Sequence, residues 1–182
     1  MPSTSETAIV TALRSGDVRR AVELILDVYQ EDIFSYCVRL VGAGEAVSAY
    51  QRILATALEE ISSLSGQASI RAWLFRIART AALYFHRRHH HQFSGALEAG
   101  YVPTIGPGDV PGLRVADEVL DQCLLEIEPA ALEVLQLALW HGLGLAEVAY
   151  VVDRREPEVR RMATQGLRLL DFQIARRSVA PS

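Results

Sequence analysis

The sequence predicts an all-α protein built as two small helical domains joined by a flexible linker. Three observations carry that prediction. Apolar residues recur at the three- and four-residue spacing of one helix face along most of the chain, and no alternating strand pattern appears. One stretch, residues 92–116, breaks every period and holds five glycines and three prolines, which is long for a loop inside a compact domain. Half of the 182 residues are hydrophobic, enough to bury a core, which excludes a disordered chain. The expected organisation is a first domain over 1–91, a linker over 92–116 and a second domain over 117–182.

The elements follow in order. Thr7 to Ser15 reads as a short helix stopped by Ser15-Gly16-Asp17. From Val18 the apolar positions Ala21, Leu24, Ile25, Val28, Ile33, Tyr36, Cys37 and Leu40 form one helical stripe, which Gly42 and Gly44 should close. A second stripe starts near Glu45 and runs through Val47, Tyr50, Ile53, Leu54, Ala57, Leu58 and Ile61 to Leu64, before Ser65-Gly66. A third starts at Ser69, a good N-cap residue, and passes through Ile70, Trp73, Leu74, Ile77, Ala81 and Tyr84 into a histidine- and arginine-rich end. Beyond the linker, Val119, Leu120, Cys123, Leu124 and Ile127 form a stripe that Glu128-Pro129 interrupts. Leu132 to Leu139 form the next helix, ending at His141-Gly142. Leu145 to Val152 is a short apolar helix, Asp153-Arg154-Arg155 a tight turn, and Pro157 the first position of a last helix reaching about Arg177.

Charge narrows the function. All 18 basic residues are arginine, the acids number 22, and the net charge is -4, unlike the basic average of most nucleic-acid binders. By segment the picture changes. Residues 67–95 carry five arginines and no acid, and residues 154–182 carry seven arginines and three acids, whereas residues 1–66 and 96–153 are acidic. Segregation of this kind points to partners. No apolar run approaches the roughly 20 residues of a membrane span, and the N-terminus has no basic segment followed by an apolar one, so the chain is expected in the cytoplasm. Cys37 and Cys123 sit among apolar neighbours and read as buried, reduced thiols. There is no glycine-rich phosphate loop, serine elbow or HExxH motif, so no catalytic constellation and no cofactor are expected. His86, His89, His90 and His91 lack the further ligands of a metal site and extend the basic end of their helix.

Two segments carry a function. In the first, Arg71, Arg76 and Arg79 interleave with Trp73, Phe75, Tyr84 and Phe85, and Arg87-Arg88 follow. Cations that track phosphates and rings that stack on bases suit a single nucleic-acid strand. The same residues also fit a core stripe of Trp73, Ile77 and Tyr84 with a solvated arginine face. In the second, a short helix, a tight turn and a longer basic helix have the helix-turn-helix layout, whose second helix enters the major groove by its N-terminal end. Any helical hairpin shares that outline, and Arg154, Arg155, Arg160 and Arg161 equally fit a solvated, partly ion-paired surface, with Glu156 and Arg160 spaced i,i+4.

Together and in this order the segments resemble a family. Arg71-Ala-Trp-Leu-Phe-Arg-Ile-Ala-Arg followed by Arg87-Arg88 is similar to the second region of bacterial extracytoplasmic-function sigma factors. Leu143-Gly-Leu-Ala-Glu-Val-Ala followed by Val159-Arg-Arg is similar to their fourth region, and Ser15-Gly-Asp and Tyr36-Cys-Val-Arg-Leu-Val-Gly also fit. The resemblance runs from about Ala8 to Leu170, with the linker where the family has one. It implies a promoter-specificity subunit with core RNA polymerase, promoter DNA and an anti-sigma factor as partners. Glu45 and Gln51 fall on positions that meet the polymerase clamp. Arg71, Trp73, Arg76, Arg79, Arg87 and Arg88 fall on the helix that opens the minus-ten element. Arg154, Arg155, Arg160 and Arg161 fall at the element that reads minus thirty-five.

The sequence departs from the family pattern at several places. The acidic pair before the clamp glutamine becomes Val47 and Ser48, and the Asn and Asp after the Ile-Ala-Arg run become Thr80 and Tyr84. Basic positions of the recognition helix become Met162 and Gln165, and Glu156, Pro157 and Glu158 replace the small residues at its start. Acids there strengthen a helix N-terminus but repel a phosphate. These changes leave a second reading open, a sigma-like regulatory protein that acts through protein partners without reading a promoter.

Overall fold

The structure, a computed structural model, describes residues 4–61, 64, 69–90, 123–124 and 126–178. The described residues are helical, with no strand among them. The chain divides into two compact units, Met1–Ser94 and Gly95–Ser182. The stretch 92–116 lies outside the described residues. No helix among the described residues is long and apolar enough to cross a membrane.

Among the described residues of the first unit the helices are α1 (Thr4–Arg14), α2 (Val18–Val41), α3 (Ala43–Glu60) and α4 (Ile70–His90). Local signals set their ends. The Asp17 carboxylate accepts the Arg20 N–H at 3.0 Å and caps α2. Gly42 turns the chain from α2 into α3 by itself, at φ 79°, a backbone region open to glycine at no steric cost. Its N–H donates to the Val38 carbonyl at 2.9 Å, and its own carbonyl accepts from Ala46 at 3.1 Å. Gly44 does not help to stop α2, as the sequence suggested; it lies in the first turn of α3. Ser69 caps α4, its Oγ accepting the Ala72 N–H at 3.1 Å.

Packing then buries α4 against its neighbours. It touches α2 and α3, and α2 also packs on α1 and α3. Ile70, Ala72, Trp73, Leu74, Phe75, Ile77, Ala78, Ala81 and Ala82 are all buried, so the first three turns of α4 are apolar nearly all round, as a core helix must be. The Tyr36 and Phe75 rings meet edge to face at 5.0 Å, and Tyr29 donates its hydroxyl to Glu6 at 2.9 Å, tying α1 to α2.

The second unit contains α5 (Pro129–Leu135), a π-helical segment (Gln136–Trp140), α6 (Leu145–Val152) and α7 (Glu156–Ser178). Glu126, Ile127 and Glu128 are turn and coil, so the chain does leave the helix before Pro129, which occupies the first turn of α5, where its missing N–H is no loss. The helix expected to run on to Leu139 widens after Leu135 into the π segment and closes with His141 N–H on the Gln136 carbonyl. Cys123, Leu124, Ile127, Ala131, Leu132, Leu135 and Leu170 form the core, with Trp140, Met162 and Ile174 packed against it. Gly166 is buried where α7 crosses α5, and a Cβ there would lie 2.8 Å from Leu135 Cδ1. Below this crossing Arg177 Nη2 donates to Glu126 at 2.5 Å, and Gln173 Nε2 donates to the other oxygen of the same carboxylate. These bonds hold the end of α7 to the segment before α5.

Candidate nucleic-acid interface

The turn between α6 and α7 follows from three residues. The Glu147 carboxylate accepts the Gly144 N–H at 2.9 Å and starts α6. Asp153 ends it in the left-handed region, at φ 55° and ψ 51°, a conformation that a short polar side chain tolerates best after glycine. The Glu158 carboxylate then accepts the Arg155 N–H at 3.1 Å and starts α7. That bond, followed by the Arg155 side chain, holds the Glu158 carboxyl below the ordinary carboxylate range. Val148, Val151, Val152 and Val159 bury the inside of the hairpin.

The outer face of α7 is polar. Glu156, Pro157, Arg160, Arg161, Thr164, Gln165 and Arg168 line an open groove of about 660 Å³. Arg154, Arg155, Arg160 and Arg161, the cations singled out from the sequence, are all exposed. Two of them are engaged. Glu156 binds Arg160 at 2.7 Å, and Glu158 meets Arg155 Nε at 3.4 Å. Met162 is half-buried against the core, so apolar character there removes nothing from the outer face. Gln165 does lie on that face. Thr164 and Arg168 were missed by the sequence reading, although they lie four and eight residues on from Arg160, in its row.

On α4 the six residues expected to meet a nucleic-acid strand separate. Trp73 is 5% exposed and packs inside the unit, so the expectation that its ring stacks on a base is revised. Arg71 reaches α2, where Nη2 donates to Asp32 at 2.8 Å, and its guanidinium lies 5.9 Å from the Phe75 ring. It ties two helices together. Arg76 is exposed and Arg79 half-buried. Arg87 and Arg88 continue the helix, but their side chains lie outside the described residues, as do those of His86, His89 and His90, and the whole of His91. The aromatic group that does reach the surface is Tyr84, 41% exposed, with the Arg52 guanidinium 3.9 Å above its ring and Phe85 at its edge. Arg52 belongs to α3, and nothing in the local pattern announced its pairing with α4.

The face expected to meet a polymerase is on α3. Gln51 is exposed and Glu45 half-buried. Val47, at 56% exposure, and Leu58 flank Gln51, and Tyr50 beside them meets Phe34 of α2 edge to face at 5.8 Å. Val47 and Ser48, both exposed, stand where the resembling family carries an acidic pair. Under this face, burial pushes the Cys37 thiol up to about 12 and raises the Tyr50 hydroxyl in the same sense.

Residues 25–92, from within α2 through the end of α4, match the family model for sigma-70 region 2. Two solved structures share the fold. One is the sigma factor RpoE in complex with the anti-sigma factor NepR from Bartonella quintana, with a TM-score of 0.63 and 14% identity, covering 87% of this chain and 97% of that one. The other is CnrH in complex with the cytosolic domain of CnrY, with a TM-score of 0.62 and 17% identity, covering 93% of this chain and 96% of that one. At such identities the likeness establishes the fold. No curated protein sequence matches the chain.

Proposed function

We infer that this chain, whose residues 25–92 form a sigma-70 region 2 domain, is an alternative sigma factor of the extracytoplasmic-function type that directs transcription initiation. The observation that carries this reading is the coincidence of the region 2 match with α2 to α4, in a chain that shares its fold with a sigma factor over 87% of its length.

The finer assignment is as follows. Residues 1–91 bind core RNA polymerase through the α3 face around Glu45 and Gln51 and hold the minus-ten strand. Arg76, Arg79, Arg87 and Arg88 serve the strand, while Arg71 and Trp73 position α4 from inside the unit. Residues 92–116 link this domain to 117–182, which reads the minus-thirty-five duplex through α7, with Arg154, Arg155, Arg160 and Arg161 in contact. An anti-sigma protein holds the factor inactive, by extension from the RpoE–NepR complex. The protein works by binding in the cytoplasm and carries out no reaction of its own.

A second reading has its own support. Val47 and Leu58 put apolar surface beside Gln51, and Glu156 and Glu158 engage two of the four α7 arginines. These features suit a sigma-like protein that binds regulators and reads no promoter. Reconstitution with core polymerase separates the two. A sigma factor yields a stable complex and run-off transcripts from a cognate promoter. A chain that binds no core in a clean reconstitution is not a sigma factor, and one that binds core but gives no transcript fits the second reading.

A further inference from the structure

An acid at the start of a recognition helix would ordinarily weaken DNA binding, because the phosphate backbone repels it. The two acids of α7 differ in what they do. Glu158 is turned back onto Arg155, where its carboxylate starts the helix. Glu156 instead lies on the outer face, 44% exposed, in a row with Arg160, Thr164 and Arg168 that runs three turns along the groove. Its partner Arg160, one turn on, is 64% exposed and held at 2.7 Å.

Base edges in the major groove suit such a pair better than phosphates do. Guanine presents two acceptors to an arginine, and cytosine presents an amino donor to a carboxylate. A neighbouring cation offsets the repulsion of the acid by the duplex, and the acid in turn orients the guanidinium plane. Thymine O4 and guanine O6, both acceptors, meet a carboxylate unfavourably, so the acid also rejects wrong bases.

We propose that Glu156 and Arg160 form one base-reading unit for a G·C pair or step in the major groove, Arg160 donating to guanine and Glu156 accepting from the cytosine amino group. Glu156 thereby trades general affinity for discrimination. This rests on the proposed promoter-reading role of α7.

The test selects bound sites from a randomised duplex pool, using the full chain with core polymerase, and repeats the selection with Glu156→Ala, Glu156→Gln and Arg160→Ala. Both residues are exposed, so folding is expected to survive, and circular dichroism checks it. In the wild type one position should favour cytosine. Glu156→Ala should lower that preference by between about fivefold and a hundredfold, the range for one such contact, while binding to random duplex rises. Glu156→Gln should shift the preference towards adenine, and Arg160→Ala should erase a neighbouring guanine. If Glu156→Ala raises affinity for every duplex equally and leaves base preferences unchanged, the acid is merely repulsive and the proposal fails. If the wild type shows no base preference anywhere in the duplex upstream of the start site, promoter reading itself fails and the pair falls with it.

Discussion

Gly166 lets α7 lie close against α5, and replacing it should have an effect whose sign depends on one neighbour. A methyl group at Gly166 would lie 2.8 Å from Leu135 Cδ1, 3.3 Å from Leu135 Cγ and 3.8 Å from Ala131 Cβ. Leu135 is 1% exposed inside the core and has no open direction in which to retreat. Gly166→Ala gains about 1 kcal/mol of helix propensity in the middle of α7. Overpacking of a filled core costs about 1–3 kcal/mol. The net expectation is a loss of between about 0 and 2 kcal/mol. Leu135→Ala by itself should cost about 2–5 kcal/mol, and it opens the space the new methyl needs. In that background Gly166→Ala should therefore stabilise, by about 1 kcal/mol, and the double-mutant cycle should show coupling between the two sites. The chain has two tryptophans, Trp73 in the first unit and Trp140 in the second. Urea unfolding of a Trp73→Phe chain, followed by Trp140 fluorescence, reports the second unit alone. If Gly166→Ala stabilises equally with Leu135 and with alanine at that position, α5 and α7 do not approach as closely as described and the reasoning is refuted.

Three other outcomes follow from the same geometry. Asp32→Asn and Arg71→Met should each lower the thermal midpoint of the first unit only slightly, because both side chains of the pair are part-exposed and worth at most about 1 kcal/mol; neither should change the salt dependence of DNA binding. For Cys37 the folded thiol titrates near 12 and the unfolded one near 9, so the neutral form is favoured by folding. Its contribution is fully present below pH 9 and is lost as pH rises towards 12, so the urea midpoint should fall over that window, with a shallower fall in Cys37→Ala. Duplex affinity should fall linearly on a logarithmic salt scale, and Arg154→Ala and Arg161→Ala should each reduce the slope by about one, measured by fluorescence anisotropy at several salt concentrations.

Much of this molecule was legible in its sequence because the relevant forces act within a few residues. Asp17, Gly42 and Ser69 mark helix ends through bonds spanning three or four positions, and each does so in the structure. Helical periodicity and the helix-turn-helix outline needed only i,i+3 and i,i+4 neighbours, and so did the Glu156–Arg160 pair. Legibility stopped where distant residues decide. The pattern of arginines and rings on α4 is the same whether the helix lines a strand or fills a core. Only its burial against α2 and α3 put Trp73 inside and turned Arg71 onto Asp32, 39 positions away. Likewise Met162 read as a lost cation until the core took it, and Arg52 met Tyr84 only because α3 packs on α4. Sequence by itself determined where most of the described helices run, the ends marked by Asp17, Gly42 and Ser69, and the segregation of charge, since these are set by local chemistry. Tertiary structure alone decided which arginines remain at the surface, since that depends on which helices compete for the same apolar face.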